Sequence, residues 1–186
     1  MKTVLVPLAT GFEEIEFMGI ADTLKRAGVN VIIAGLNGAN VVVGANGIGV
    51  KAEVSLDDVN VDSLDAIALP GGWDGMDNLK KDSRILKIIQ TLNEKQKLVS
   101  AVCASPLVLE EAKVLPDNYT CYPGCEDPIT HGQRQDKPVV VSGNVITSAG
   151  PATAILFGLE IVKHLVGGEK YMEVKEGLLI PMITHH

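Results

Sequence analysis

Positive charge is scarce in this chain: 16 Lys and Arg stand against 23 Asp and Glu, a formal net charge of −7. No Lys/Arg-rich cluster offsets that excess, which argues against nonspecific nucleic-acid binding and against attraction to an anionic membrane surface, and no specific nucleic-acid binding is expected. Apolar residues are plentiful, yet no apolar run reaches the roughly 20 residues that a membrane-spanning helix needs. Only three cysteines occur in 186 residues. They are too few for a disulfide framework, and they read as reduced thiols in a cytoplasmic compartment. The opening "MKTVLVPLATGFEE" pairs a lysine with an apolar stretch, but it runs into Glu13 and Glu14 without a small-residue cleavage site. It therefore reads as a first strand and not as a secretion signal. Repeats, low-complexity tracts and internal linkers are also lacking, so a single domain over residues 1–186 is expected, long enough to bury a core without staples.

What is present is an alternation of strand-like and helical patterns. "TVLVPLA" (3–9), "VNVIIAGL" (29–36), "LDAIALPGG" (64–72) and "KLVSAV" (97–102) read as buried strands. "EEIEFMGIADTLKRAG" carries apolar residues at helical spacing up to a glycine stop at Gly28. "DSRILKIIQTLNEKQ" opens on Asp82 as an N-cap and puts Ile85, Ile88, Ile89 and Leu92 on one face. "ASPLVLEEAKVL" (104–115) reads as a helix after Cys103, and "PATAILFGLEIVKHLVGG" as a closing helix. "NVVVGANGIGVKAEV" (40–54) reads as a glycine-rich hairpin, and "KPVVVSGNVITSAG" as two short strands. Continuous apolar strands between helices predict an α/β fold with a mostly parallel sheet covered on both faces. The tail, about residues 179–186, has no clear place in this pattern and is expected to be peripheral. His185 and His186 are read as surface residues or an appended remnant, not as metal ligands.

Ligands of open α/β sheets collect at the C-terminal ends of the strands. Cys103 falls at such an end, where "VCAS" passes from strand to helix. Unpaired N–H groups and the helix dipole at that junction are expected to lower a thiol's pKa, in a layout like a nucleophile elbow. A free cysteine can instead be a small buried hydrophobe, but its place at a strand-to-helix junction favours reactivity. Glu16 shares a helical stripe with Ile20, Leu24 and Ala27, so a carboxylate heads an apolar face near the ligand end of the sheet. It is either an acid with a raised pKa that can move a proton, or a first-turn acid like Glu13 and Glu14. Gly71 and Gly72 permit a sharp turn, so that a Gly72 N–H, with that of Ala104, can form an oxyanion hole. "GANGIG" sits in a hairpin and is no nucleotide loop. Cys121 and Cys125, spaced C-x3-C, lack the further ligands a zinc site needs, and His164 reads as a helix-end residue. No metal or cofactor is indicated.

The segments "GFEEIE", "LPGG", "AVCASP" and "TSAGPATAILFGLEIVKHL" together resemble the ThiJ/PfpI superfamily, in the branch of the Parkinson-disease-associated protein and its bacterial homologues. The resemblance implies a flavodoxin-like three-layer α/β/α sandwich and a homodimer. It maps the reactive cysteine onto Cys103, the pocket carboxylate onto Glu16, and the backbone donors onto Gly72 and Ala104. It also implies glutathione-independent conversion of methylglyoxal to lactate, deglycase-like activity, or chaperone-like protection against oxidative stress. Two departures stand out. Ala104 follows the cysteine where peptidase-like members carry histidine, so peptidase activity is not expected. Tyr122, before Pro123, takes the place of a pocket histidine, and its phenol is a poor base near neutral pH. Three readings result: an enzyme acting on a small aldehyde or dicarbonyl, a redox-sensing or chaperone-like protein using the same cysteine, and a binding domain in which Cys103 only packs.

Overall fold

The computed structural model describes residues 1–183, so the terminal histidines lie outside the described residues. In chain order, β1 (Thr3–Leu8) leads to α1 (Glu14–Arg26) and β2 (Asn30–Gly35). A hairpin of β3 (Val41–Val43) and β4 (Gly49–Lys51) follows, then β5 (Val54–Ser55) and β6 (Ala66–Leu69). Next come α2 (Trp73–Lys81), α3 (Ser83–Glu94), β7 (Leu98–Val102) and α4 (Pro106–Glu111). After the short β8 (Asn118–Tyr119) and β9 (Gln133–Arg134), β10 (Val139–Ser142) and β11 (Val145–Ser148) lead to α5 (Ala154–Val166), α6 (Gly168–Gly177) and α7 (Ile180–Ile183).

Seven strands form one sheet in the order β10-β11-β7-β6-β1-β2-β5. All neighbours are parallel except the edge pair β10–β11, which is the expected pair of strands joined by "SGN". Period-two alternation sends side chains to two separate cores. Leu5, Ile67, Leu69, Val99 and Ala101 face the layer of α2, α3 and α4. Val4, Val6, Ala66, Ala68 and Val102 face α1, α5 and α6. Burial on both faces is why these strands read as unbroken apolar runs. The expected flavodoxin-like sandwich is the fold observed.

Three local features differ from the pattern read in the sequence. The "PGG" break is followed at once by α2, nine residues whose polar face hides its helical period. The helix after Cys103 is short: α4 has six residues, and the chain leaves it at Ala112 because Lys113 takes a positive φ of 62°. The tail forms α7, where Ile180 is buried in the α1/α5 core while Met182 and Ile183 are exposed.

Candidate active site

The site is assembled at the C-terminal ends of β1, β6 and β7. Cys103 follows the last residue of β7 with φ 63°, a left-handed conformation that side-chain-bearing residues seldom adopt. Its surroundings hold it there. The Cys103 N–H donates to Ser148 O at 2.9 Å, and its carbonyl accepts the Tyr122 N–H at 3.0 Å. The buried Ser105 hydroxyl donates to Pro70 O at 2.6 Å and ties the start of α4 to the Gly-Gly loop. Strain fixed from several directions is the pattern of a functional turn. Sequence reading did not single out Ser105, because "SP" at a helix start looks like an ordinary cap and its partner lies 35 residues away.

Glu16 comes from the first turn of α1, on the buried stripe it shares with Ile20 and Leu24. The Glu13 side chain caps that helix by accepting the Glu16 N–H at 2.7 Å. Glu14 serves a different purpose: its carboxylate accepts the Asn46 N–H at 2.7 Å and the Asn46 side-chain amide at 2.9 Å, fastening the hairpin to α1. Glu16 itself has no exposed surface and accepts the Gly71 N–H through Oε2 at 2.7 Å. Its Oε1 is the one fully buried side-chain oxygen among the described residues with no hydrogen-bond partner of ordinary geometry. The Cys103 thiol is nevertheless near enough for the two groups to shift each other.

Gly71 and Gly72 have different reasons for being glycine. A Cβ on Gly71 would lie 2.5 Å from Glu16 Oε2 and 2.7 Å from Cys103 Cβ, so only a hydrogen fits between the acid and the thiol. Gly72 has φ 89°, and a Cβ there would strike the Gly11 carbonyl. The resulting turn aims the Gly72 N–H, together with that of Ala104, at the Cys103 sulfur.

Burial pushes the Glu16 pKa up to about 7, and Glu13 adds to the shift, against the nearby Cys103 thiol and the Gly71 N–H. The expected lowering of the Cys103 pKa is not what the structure gives. Burial first, then the Glu16 charge and their contact, push the thiol up, and the Gly72 and Ala104 N–H groups only partly oppose this. A six-residue helix carries too small a dipole to reverse that balance. The pair is therefore a thiol beside a carboxyl group that changes charge near neutrality.

Tyr122 is about half exposed, and its ring lies over Gly150, 3.2 Å from where a Cβ there would be. Cys121 and Cys125 are buried free thiols, and the Cys121 Sγ lies 3.6 Å from Glu126 Oε2. His131 contacts Leu115 O at 3.1 Å. His164 is in the exposed last turn of α5. Among the described residues no helix is long and apolar enough to cross a membrane.

The DJ-1/PfpI family model matches residues 2–164 of the chain. Protein dj-1beta of Drosophila melanogaster is 38% identical over 182 residues, spanning 96% of this chain and 97% of that protein. The glutathione-independent glyoxalase DJR-1.2 of Caenorhabditis elegans is 37% identical over 160 residues, 85% of each chain. The crystal structure of Drosophila DJ-1beta superposes with a TM-score of 0.91 at 39% identity, covering 96% of this chain and 97% of that one. The oxidised Toxoplasma gondii DJ-1 gives a TM-score of 0.92 at 34% identity, covering 96% and 98%.

Proposed function

The chain belongs to the DJ-1/PfpI family, and from that premise and the site geometry we propose that it is a cysteine-dependent enzyme acting on small reactive dicarbonyls. Its reaction is glutathione-independent conversion of methylglyoxal to lactate, or a deglycase-like relative of it, in protection against carbonyl and oxidative stress. The observation that carries this reading is the pairing of Cys103 with a carboxyl group poised near neutrality, beneath the Gly72 and Ala104 N–H groups. The glyoxalase named among the relatives supports it.

The chemistry follows from the shifted pKa values. Burial and the neighbouring Glu16 push Cys103 toward the thiol form, so ionised Glu16 takes the thiol proton as sulfur attacks the aldehyde carbon. The carbonyl electrons move to oxygen, where the Gly72 and Ala104 N–H groups stabilise the charge. Glu16 returns its proton to that oxygen, completing a hemithioacetal. It then removes the proton from the former aldehyde carbon and delivers it to the adjacent carbon through an enediol, leaving a lactyl thioester. Water adds to the thioester, lactate departs and the thiol is regenerated. The sum is addition of one water to methylglyoxal, with no external electron donor or acceptor.

The unpartnered Oε1 of Glu16 favours a second reading. A protonated carboxyl there is a donor without an acceptor, and oxygen atoms added to the Cys103 sulfur by peroxide would supply one. A non-catalytic redox-sensing or chaperone-like stress protein would use the site in this way. Lactate production from methylglyoxal without glutathione, by the intact chain and by Cys103→Ser, decides between the two. Turnover lost in the variant supports the enzyme. Equal inactivity of both proteins, with peroxide still oxidising Cys103, supports the sensor.

A homodimer and a cytoplasmic location accompany this proposal. Exposed apolar Ile15 and Met18 on α1, beside exposed Ile48 in the hairpin that Glu14 fastens there, form a surface suited to a second copy. Sedimentation of the chain and of Met18→Glu tests it, with the variant expected to shift toward monomer.

A further inference from the structure

Away from the thiol, a cavity of about 610 Å³ opens at the C-terminal ends of β1 and β2, beneath the β3–β4 hairpin. That volume falls in the range of roughly 300–1,000 Å³ typical of small-molecule sites. It is separated from Cys103 by the Thr10–Phe12 turn. The Phe12 N–H closes that turn onto Ala9 O at 3.1 Å, and the Gly75 N–H binds Gly11 O at 3.2 Å. None of Glu16, Gly71, Gly72 or Cys103 lines the cavity.

Its floor is apolar, made of buried Leu8, Ala9 and Leu36. Its rim carries three asparagines, 37, 40 and 78. The Asn78 amide donates to Thr10 O at 3.0 Å and that of Asn40 to Asn37 O at 3.3 Å. Both side chains are thereby oriented, with their carbonyl oxygens left as acceptors. The Asn37 side chain forms no hydrogen bond among the described residues and can donate or accept. The charged groups at the edge already have partners: Lys81 pairs with Asp77 at 2.5 Å, and Asp82 is held by Arg84. Asp82 also caps α3, which leaves that helix end no call for an anion.

We propose that this cavity is a second binding site, for an uncharged hydroxyl-bearing molecule of monosaccharide size. Hydroxyl groups donate to the oxygens of Asn40 and Asn78 while the C–H face of the ring packs on Leu36, Val41 and Val42 at the cavity wall. A phosphorylated ligand meets one lining cation, Lys81, already paired with Asp77, beside Asp82 and on a chain of net charge −7.

Titration of the full-length ¹⁵N-labelled protein with D-glucose, and separately with glucose 6-phosphate, tests this by NMR. The side-chain amide signals of Asn37, Asn40 and Asn78 are expected to move saturably with glucose, with weaker binding of the phosphate ester. Asn78→Ala and Asn40→Ala should each weaken glucose binding about fivefold, the loss of one hydrogen bond. Asn40 lies on an exposed loop, so its variant keeps the test valid if Asn78→Ala unsettles the Thr10 turn. Absence of saturable movement at these amides, tighter binding of glucose 6-phosphate, or affinity unchanged in both variants would overturn the proposal.

Discussion

Cys103 and the pair Cys121/Cys125 are thiols in one molecule, and the direction of their pKa shifts does not tell them apart. Burial pushes all three pKa values up, that of Cys121 to about 12. The differences lie in access and in the neighbouring carboxylate. Cys103 is partly exposed on a strained turn, whereas the other two are buried in the α2/α3/α4 core. Glu16 beside Cys103 is raised to about 7, so its ionised form can accept a proton at neutral pH. Glu126 beside Cys121 is lowered, held ionised by backbone N–H groups and Arg134, and is a weak base. In the mechanism proposed, the thiol is activated by the poise of its base more than by a helix terminus.

The sharpest way to break that contrast is Glu16→Gln. Methylglyoxal turnover is expected to fall about 10²–10⁴-fold, the usual contribution of a positioned base, while iodoacetamide still labels Cys103. Retained turnover would mean that the elbow alone distinguishes the thiols. In the intact protein, turnover should rise with pH through about 7 as Glu16 ionises, and the residual rate of the variant should lack that rise. A rate flat across neutrality would remove Glu16 as the base.

The same substitution has a stability signature that Glu126→Gln should not share. The folded-state pKa of Glu16 lies above its ordinary 4.5. The folded protein therefore binds that proton more tightly, and this stabilisation is complete below about pH 4.5 and lost as pH rises through about 7. Equilibrium unfolding should find Glu16→Gln close to the parent in acid and more stable than it by about 3 kcal/mol at pH 8. No growth of the difference with pH would show that Glu16 is not held near neutrality. A smaller effect is expected of Gly71→Ala. Crowding a methyl group between Glu16 and Cys103 should cost about 1–3 kcal/mol, read from the same unfolding curves.

Much of this frame was legible in the sequence, because its signals are local. Apolar runs marked β1, β2, β6 and β7, and the Glu16–Ile20–Leu24 stripe placed a carboxylate on a buried face. Other parts depend on groups brought together from distant positions. Ser105 reaches Pro70, Glu14 holds Asn46, and the Cys103 backbone is pinned by Ser148 and Tyr122, contacts no spacing rule reveals. The direction of the thiol's pKa shift is hidden from the sequence for a related reason. A strand-to-helix junction suggests a dipole, but the length of α4 and the burial of Cys103 are set by tertiary packing.

Tyr122 gives the finest test of whether Glu16 suffices as the base. Its ring packs over Gly150 and it is half exposed, so Tyr122→Phe should leave stability unchanged. If the hydroxyl steadies a substrate oxygen equally in the ground and transition states, KM should rise about fivefold with kcat unchanged. A fall in kcat at constant KM would instead place the phenol in the proton transfers. Tyr122→His completes the comparison, because imidazole titrates in the same neutral range as Glu16. A poised carboxylate already carries the proton in the mechanism proposed, so the added imidazole should raise kcat by no more than a few-fold, as expected of a redundant base. A much larger increase would show that the site lacks a base and that Glu16 only holds the sulfur in place.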